Sequence, residues 1–246
     1  MRNYSKKKYI STFLLLLVMW GFNACECVPD INTPKEIKPD QFSNVMFINS
    51  NSDFDLLKFK TEAGDFSANV YYLEENYSYQ SIIPGIVNIK IATAKDSLLF
   101  NSVMDLKRAF PYTFFAFGTS DRMQGFLLTD TINNYASNNS YFRCINLANF
   151  SPYIMFKIIG SYSIPTIRPF KTASNFYPTY SGIYNIEIRN ATNDSLMLYE
   201  KNIEFKAGRA YSLLLRGYFH GMGHQELNLK VIESDFLFRR EQEEIK

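Results

Sequence analysis

Apolar and polar residues alternate with a period of two along much of this chain. In Val87-Asn88-Ile89-Lys90-Ile91 the apolar side chains fall on one face of an extended strand and the polar ones on the other. Tyr184-Asn185-Ile186-Glu187-Ile188 repeats the alternation in the same phase. From Ser43 onward, short runs rich in Ile, Val, Tyr and Phe are separated by Gly, Pro, Asn, Asp and Ser, and no long segment of period 3.6 interrupts them before the C-terminal residues. This grammar predicts strands and turns and argues against an α/β fold.

The pattern is stated twice. Gly85-Ile86-Val87-Asn88-Ile89-Lys90-Ile91 reappears 97 positions later as Gly182-Ile183-Tyr184-Asn185-Ile186-Glu187-Ile188. Val45 to Asn49 aligns with Phe142 to Asn146 at the same offset, Asp96-Ser97-Leu98 with Asp194-Ser195-Leu196 at 98, and Tyr112 to Gly118 with Tyr211 to Gly217 at 99. Four blocks in register, with an offset that grows by two, imply one duplicated fold that has taken small loop insertions. About seven strand-like runs per unit predict an all-β protein: two tandem immunoglobulin-like antiparallel β-sandwich units, over residues 43–135 and 136–233. Val87, Ile89, Ile91, Tyr112, Tyr184, Ile186, Ile188, Tyr211 and Leu213 are expected to point inward, with Tyr112 and Tyr211 as tyrosine corners. Residues 234–246 read as a polar C-terminal tail.

The opening strand Phe142-Arg143-Cys144-Ile145-Asn146 has the form apolar-Arg-apolar-apolar-Asn, and a later run joins Gly208 to Tyr211-Ser212-Leu213-Leu214-Leu215-Arg216-Gly217. Together they resemble the domain-of-unknown-function 4397 family, over roughly Ser43 to Glu233. The first unit departs from that form, with Met46 in place of the arginine and Pro111 in the glycine region. The resemblance implies tandem sandwich-like units on bacterial lipoproteins and surface proteins, with no established activity.

The N-terminus breaks the alternation. Ile10 to Ala24 is an apolar run of 15 residues behind Arg2, Lys6, Lys7 and Lys8, and it stops at Cys25. The run is shorter than the roughly 20 residues that cross a bilayer. A basic start, a short apolar stretch and a small residue before a cysteine are the layout of a lipoprotein signal, here residues 1–24 with Cys25 as the acylated residue. Phe22 stands where Leu is usual, and the plain secreted alternative leaves Cys25 free. Residues 25–42, with Pro29, Pro34 and Pro39, read as an extended tether.

Charge changes the picture only once the leader is set aside. The chain holds 26 Lys plus Arg against 24 Asp plus Glu, but four of the basic residues and no acidic ones lie in residues 1–24. Residues 25–246 therefore carry a net charge of −2, which gives no electrostatic case for nucleic acid. Of three cysteines, Cys25 is the lipid acceptor, Cys27 lies in the tether and Cys144 sits in a strand as a small core residue.

Candidate chemistry is sparse. His220 and His224 are four apart, yet Gly221 and Gly223 lie between them, which favours a turn over a metal-binding helix. Aligned with Asp121 to Gly125, they fall at a hairpin tip between the last two strands of the second unit. Asp53 and Asp55 offer oxygen ligands for calcium, or the turn chemistry of a strand entry, and the second unit lacks them. Ser97, Thr131 and Ser195 each follow an Asp and precede an apolar residue, which resembles the acceptor of protein O-glycosylation systems in some Gram-negative bacteria. No cofactor motif or catalytic constellation is present, and a hydrolase would have to rest on two of the 24 carboxylates converging in the fold. Aromatics make up 16% of the chain, more than two small cores need, and Phe114 to Phe117 is apolar on both faces. Packing between the units explains the surplus, and sugar stacking or protein contact is the alternative.

These readings converge on a non-catalytic lipoprotein of the cell envelope, in the outer membrane of a Gram-negative bacterium. Its partners would be the membrane, through lipid on Cys25, and a protein or glycan at the surface. A glycan-binding accessory lipoprotein is the alternative reading and a hydrolase the second.

Overall fold

The structure is a computed structural model and describes residues 41–62, 66–75, 77–132, 135–160 and 166–234. The leader, Cys25, Cys27 and most of the tether lie outside the described residues, as does the C-terminal tail beyond Ser234.

The first repeat is built from β1 (Ser43–Asn49), β2 (Leu56–Thr61), β3 (Ser67–Tyr71), β4 (Tyr79–Ile82), β5 (Gly85–Thr93), β6 (Leu98–Leu106), β7 (Pro111–Thr119) and β8 (Arg122–Thr129). They form two four-stranded sheets, β4-β1-β7-β8 and β3-β2-β5-β6. The second repeat comprises β9 (Ser140–Asn146), β10 (Ile154–Ile159), β11 (Thr166–Arg168), β12 (Thr172–Ala173), β13 (Tyr177–Thr179), β14 (Gly182–Asn190), β15 (Leu196–Phe205), β16 (Ala210–Arg216) and β17 (Asn228–Ser234). Its sheets are β11-β10-β14-β15 and β12-β9-β16-β17, with β13 also on β9. The two-sandwich, all-β architecture is thus the one the alternation predicts. The pairing is antiparallel except for β1 with β7 and β9 with β16, which run parallel.

Equivalent strands pair in the same register in the two halves. Val45 pairs with Tyr112 in the first repeat, and the equivalent Phe142 pairs with Tyr211 in the second. The growth of the offset has two physical sources. One extra residue enters the turn before Asp194, compared with the turn before Asp96. The other is a bulge inside β15, where pairing skips from Tyr184–Ile203 to Ile186–Glu200 and Asn202 takes φ +57°. Both insertions leave the inward alternation intact.

Each sandwich buries its own core. Val87, Ile89, Ile91 and Tyr112 join Phe47, Phe59 and Phe114 in the first, and Tyr184, Ile186, Ile188, Tyr211 and Leu213 join Phe142, Phe156 and Phe205 in the second. The two tyrosine corners are present: the Lys107 amide donates to Tyr112 Oη at 3.0 Å, and the Lys206 amide to Tyr211 Oη at 2.9 Å. Cys144 is buried and free in the second core, where burial pushes its thiol up to about 12.

Candidate functional site at the seam between the repeats

The strands β1, β7, β9 and β16 are buried along their length, with only Thr119 at the end of β7 half-buried. Their inward residues fill the two cores, and their outward residues meet each other. Met46, Ile48, Phe115 and Phe117 of the first repeat pack with Ile145, Leu147, Leu214 and Ile232 of the second. Four sheets are therefore stacked face to face with three apolar layers between them. Surplus aromatic residues such as Phe115 and Phe117 are absorbed by this seam, and both sandwiches belong to one compact unit.

One side of the seam holds a buried ion pair. Arg143 Nη2 donates to Asp130 Oδ1 at 2.5 Å, with both side chains almost wholly removed from water. Tyr79 Oη at 2.6 Å and Thr113 Oγ1 at 2.5 Å donate to the other Asp130 oxygen. Arg143 also donates to Ser212 Oγ and the Thr129 carbonyl, at 2.8 and 3.1 Å, and its guanidinium lies 4.7 Å from the Phe176 ring centroid. A buried charge survives only when paired and fully hydrogen-bonded, and this one is. Burial first, then the Asp130 carboxylate, holds the Tyr79 phenol well above its ordinary range. Met46 occupies the equivalent position in the first repeat and makes apolar contact instead.

The other end of the seam is polar too. Arg216 lies over the Tyr72 ring at 4.1 Å, donates to the Asn49 carbonyl at 3.2 Å and to Asn228 Oδ1 at 2.9 Å. Asp53 accepts from Tyr218 Oη and Gln225 Nε2 of the second repeat, both at 2.7 Å, and from the Ser120 amide at 2.7 Å. Its carboxylate thus fastens the repeats together. Asp55 is exposed, and its backbone carbonyl accepts from the Tyr72 amide at 2.9 Å. Among the described residues no group of three His, Cys, Asp or Glu side chains is placed to hold a metal ion.

His220 and His224 are both exposed in the connection from β16 to β17, which carries a 3-10 turn at Gly223–Gln225. The hairpin tip expected there holds in the first repeat, where Ser120 and Asp121 form a two-residue turn, but in the second it is an eleven-residue excursion from Gly217 to Leu227. Gly217 takes φ +88°, and a Cβ there would meet the Glu226 carbonyl oxygen at 2.2 Å. Only glycine lets this excursion fold back onto the seam.

Ser97 and Ser195 are exposed in the β5–β6 and β14–β15 turns, each behind an Asp in the left-handed region, Asp96 at φ 63° and Asp194 at φ 55°. Thr131 is exposed, whereas Asp130 before it is the buried partner of Arg143.

Two clefts open on the seam. One of about 370 Å³ lies beside Arg143, among Leu128, Thr131, Ile132, Ser174 and Phe176. The second, of about 360 Å³, lies between the β7–β8 turn and the segment after β9, and is lined by Asp121, Arg122, Gln124, Asn149, Phe150, Ser151 and Phe170. Phe150 is 76% exposed at φ 58°, a conformation that costs a bulky residue about 1–3 kcal/mol. Its ring is nevertheless positioned, 5.9 Å from that of Tyr218, and Phe170 is held edge-on by Phe117 at 5.8 Å. Composition could not single out Phe150 among 22 phenylalanines. Arg143 did carry a signal, because a charge inside an apolar strand demands a buried partner.

Fold and seam together define a tandem β-sandwich protein whose repeats share one apolar interface. No family model matches the chain, and no curated protein matches it. Among solved structures, a crystal structure of a "putative adhesin from Bacteroides ovatus" aligns with 80% of this chain and 97% of that chain, at 9% identity and a TM-score of 0.22. At those values the likeness bears on neither fold nor function.

Proposed function

We propose that this chain is a cell-envelope lipoprotein of a Gram-negative bacterium, anchored through Cys25, that presents its duplicated sandwich for binding at the surface rather than for catalysis. The observation that carries the reading is the seam. It fastens two sandwiches into one unit, and it uses the buried charges Asp130, Arg143 and Arg216 for structural bonds. What faces solvent at its edge is a cleft with positioned aromatic rings, an arrangement suited to recognition. The layout of residues 1–25 and the proline-bearing tether supply the address. The resemblance to the domain-of-unknown-function 4397 family points the same way.

Metabolic labelling with an alkyne fatty acid tests the anchor. The wild-type chain is expected to take up label and to partition into detergent on phase separation. Cys25→Ala is expected to lose the label and move to the aqueous phase. Equal labelling of both chains, or none of either, would remove the lipoprotein reading.

A further inference from the structure

The duplication offers a comparison within one molecule. The segment after β1 meets the connection that follows β16, and the equivalent segment after β9 meets the end of β7, where Asn149 Nδ2 donates to the Gly118 carbonyl at 2.8 Å. The first meeting is closed by protein: Asp53 accepts from Tyr218 and Gln225, both supplied by or beside the eleven-residue excursion. The second is left open. Phe150 stands at the position that aligns with Asp53, and the β7–β8 turn is only Ser120 and Asp121, too short to fill the space. What remains is the cleft of about 360 Å³.

Its lining is specific in kind. The Phe150 ring is exposed, and it is placed against the Tyr218 ring, tilted at 38° with centroids 5.9 Å apart. Asp121 and Arg122 stand side by side with opposite charges, and Thr119 Oγ1 fixes the Asp121 carboxylate at 2.5 Å. Gln124 adds an amide whose oxygen accepts from Lys171 Nζ at 3.1 Å, and Ser151 Oγ is held by Asn146, accepting from Nδ2 at 3.1 Å and donating to Oδ1 at 3.2 Å. An aromatic face serves the C–H side of a sugar ring, while paired carboxylate and guanidinium groups bridge neighbouring hydroxyls. The Asp121 and Arg122 charges offset each other, and the Lys171 ammonium beside the lining is bonded to Gln124 Oε1 at 3.1 Å, so the lining residues themselves carry no net charge to select an anionic ligand. A rigid ring and a fixed carboxylate also lower the ordering cost of binding.

We infer that this cleft is a binding site for a neutral glycan, with Phe150 as the stacking platform and Asp121 and Arg122 as the hydroxyl clamp. The inference rests on the surface-binding reading above but not on the lipid anchor, so the two fail separately: Cys25→Ala leaves the cleft intact.

Native affinity electrophoresis of the full chain in detergent provides the test, with gels containing yeast mannan, galactomannan, dextran or xylan, and heparin as the anionic arm. Retardation is expected in at least one neutral gel, weakened at least tenfold by Phe150→Gly and about threefold or more by Asp121→Asn. Glycine accepts φ 58° without strain, so Phe150→Gly should melt no lower than wild type, which separates lost binding from lost folding. No retardation in any neutral gel, retardation in heparin alone, or equal retardation of wild type and Phe150→Gly would overturn the site. A Phe150→Gly chain that melts lower would do so as well, because Phe150 would then be a packing residue.

Discussion

Replacing Asp130 by Asn removes one charge from the most deeply buried ion pair of the seam while changing shape little. Arg143 would keep its bonds to Ser212 and the Thr129 carbonyl and its contact with Phe176, but its guanidinium would lose its counter-charge. Asn also offers one acceptor oxygen where Asp130 satisfies three donors, Arg143, Tyr79 and Thr113. Breaking a buried pair from one side costs about 3–5 kcal/mol, and the bonds Arg143 retains place the expected loss near 3 kcal/mol. The double variant Asp130→Asn with Arg143→Met tells the cost of an orphaned charge from the worth of the pair. Met is the residue the first repeat uses at the equivalent position. Because a buried pair exchanged for apolar contact is often close to neutral, the double variant should lie within about 1–2 kcal/mol of wild type, a coupling of about 2 kcal/mol or less between the sites being too small to fit. Urea unfolding followed by circular dichroism and tyrosine fluorescence measures all four chains of the cycle: wild type, Asp130→Asn, Arg143→Met and the double variant. The only tryptophan, Trp20, precedes both repeats in the sequence, so tyrosine is the fluorophore the sandwiches themselves supply. A loss below about 1 kcal/mol for Asp130→Asn, or a coupling of about 2 kcal/mol or less, would refute the argument that this pair is uncompensated when broken.

Tyr112→Phe and Tyr211→Phe should each cost about 1 kcal/mol, because each removes the acceptor of a single backbone amide, as equilibrium unfolding would register. Cys144 should resist iodoacetamide at pH 8 until the chain is unfolded by urea, since burial both covers it and pushes its thiol up to about 12; mass spectrometry reads the adduct. Alkali should destabilise the fold from about pH 10 upward: burial raises the Tyr79 and Tyr211 phenols, so the unfolded chain ionises first and stability present below about pH 10 is lost as pH climbs toward the folded values. Exposed phenols such as Tyr71 and Tyr180 can ionise on the intact fold, so it is the last fraction of the 295 nm absorbance rise that should coincide with loss of the strand dichroism signal. If every tyrosine ionises while that signal persists, the buried phenols are misassigned.

The inward faces of this protein are legible in its sequence because alternation is a local property. Val87, Ile89 and Ile91 announce a half-buried strand whatever they pack against, and Tyr112 and Tyr211 keep their corner bonds within five residues. The seam is a long-range fact. Phe115 and Phe117 show that β7 is apolar on both faces, but nothing local says that Leu214 and Ile145 lie opposite. Asp53 reads as a turn or calcium ligand because its partners, Tyr218 and Gln225, lie 165 and 172 residues away. Asp130 reads as half of an acceptor motif for a different reason: its cation, Arg143, is only 13 residues on but opens the other repeat, and no local pattern folds the two together. The parallel pairing of β1 with β7 also escapes an alternation argument, since period two is the same for either direction.

The central claim is that the repeats form one body through the seam, and that the cleft exists because they do. Amide hydrogen exchange read by mass spectrometry tests it most directly, on peptides covering β1, β7, β9 and β16. Protection of all four strands is expected to require the same global opening, and Asp130→Asn is expected to lower it in both repeats together. Strands of one repeat exchanging through a separate, cheaper opening, while the other repeat stays protected and insensitive to Asp130→Asn, would contradict the claim.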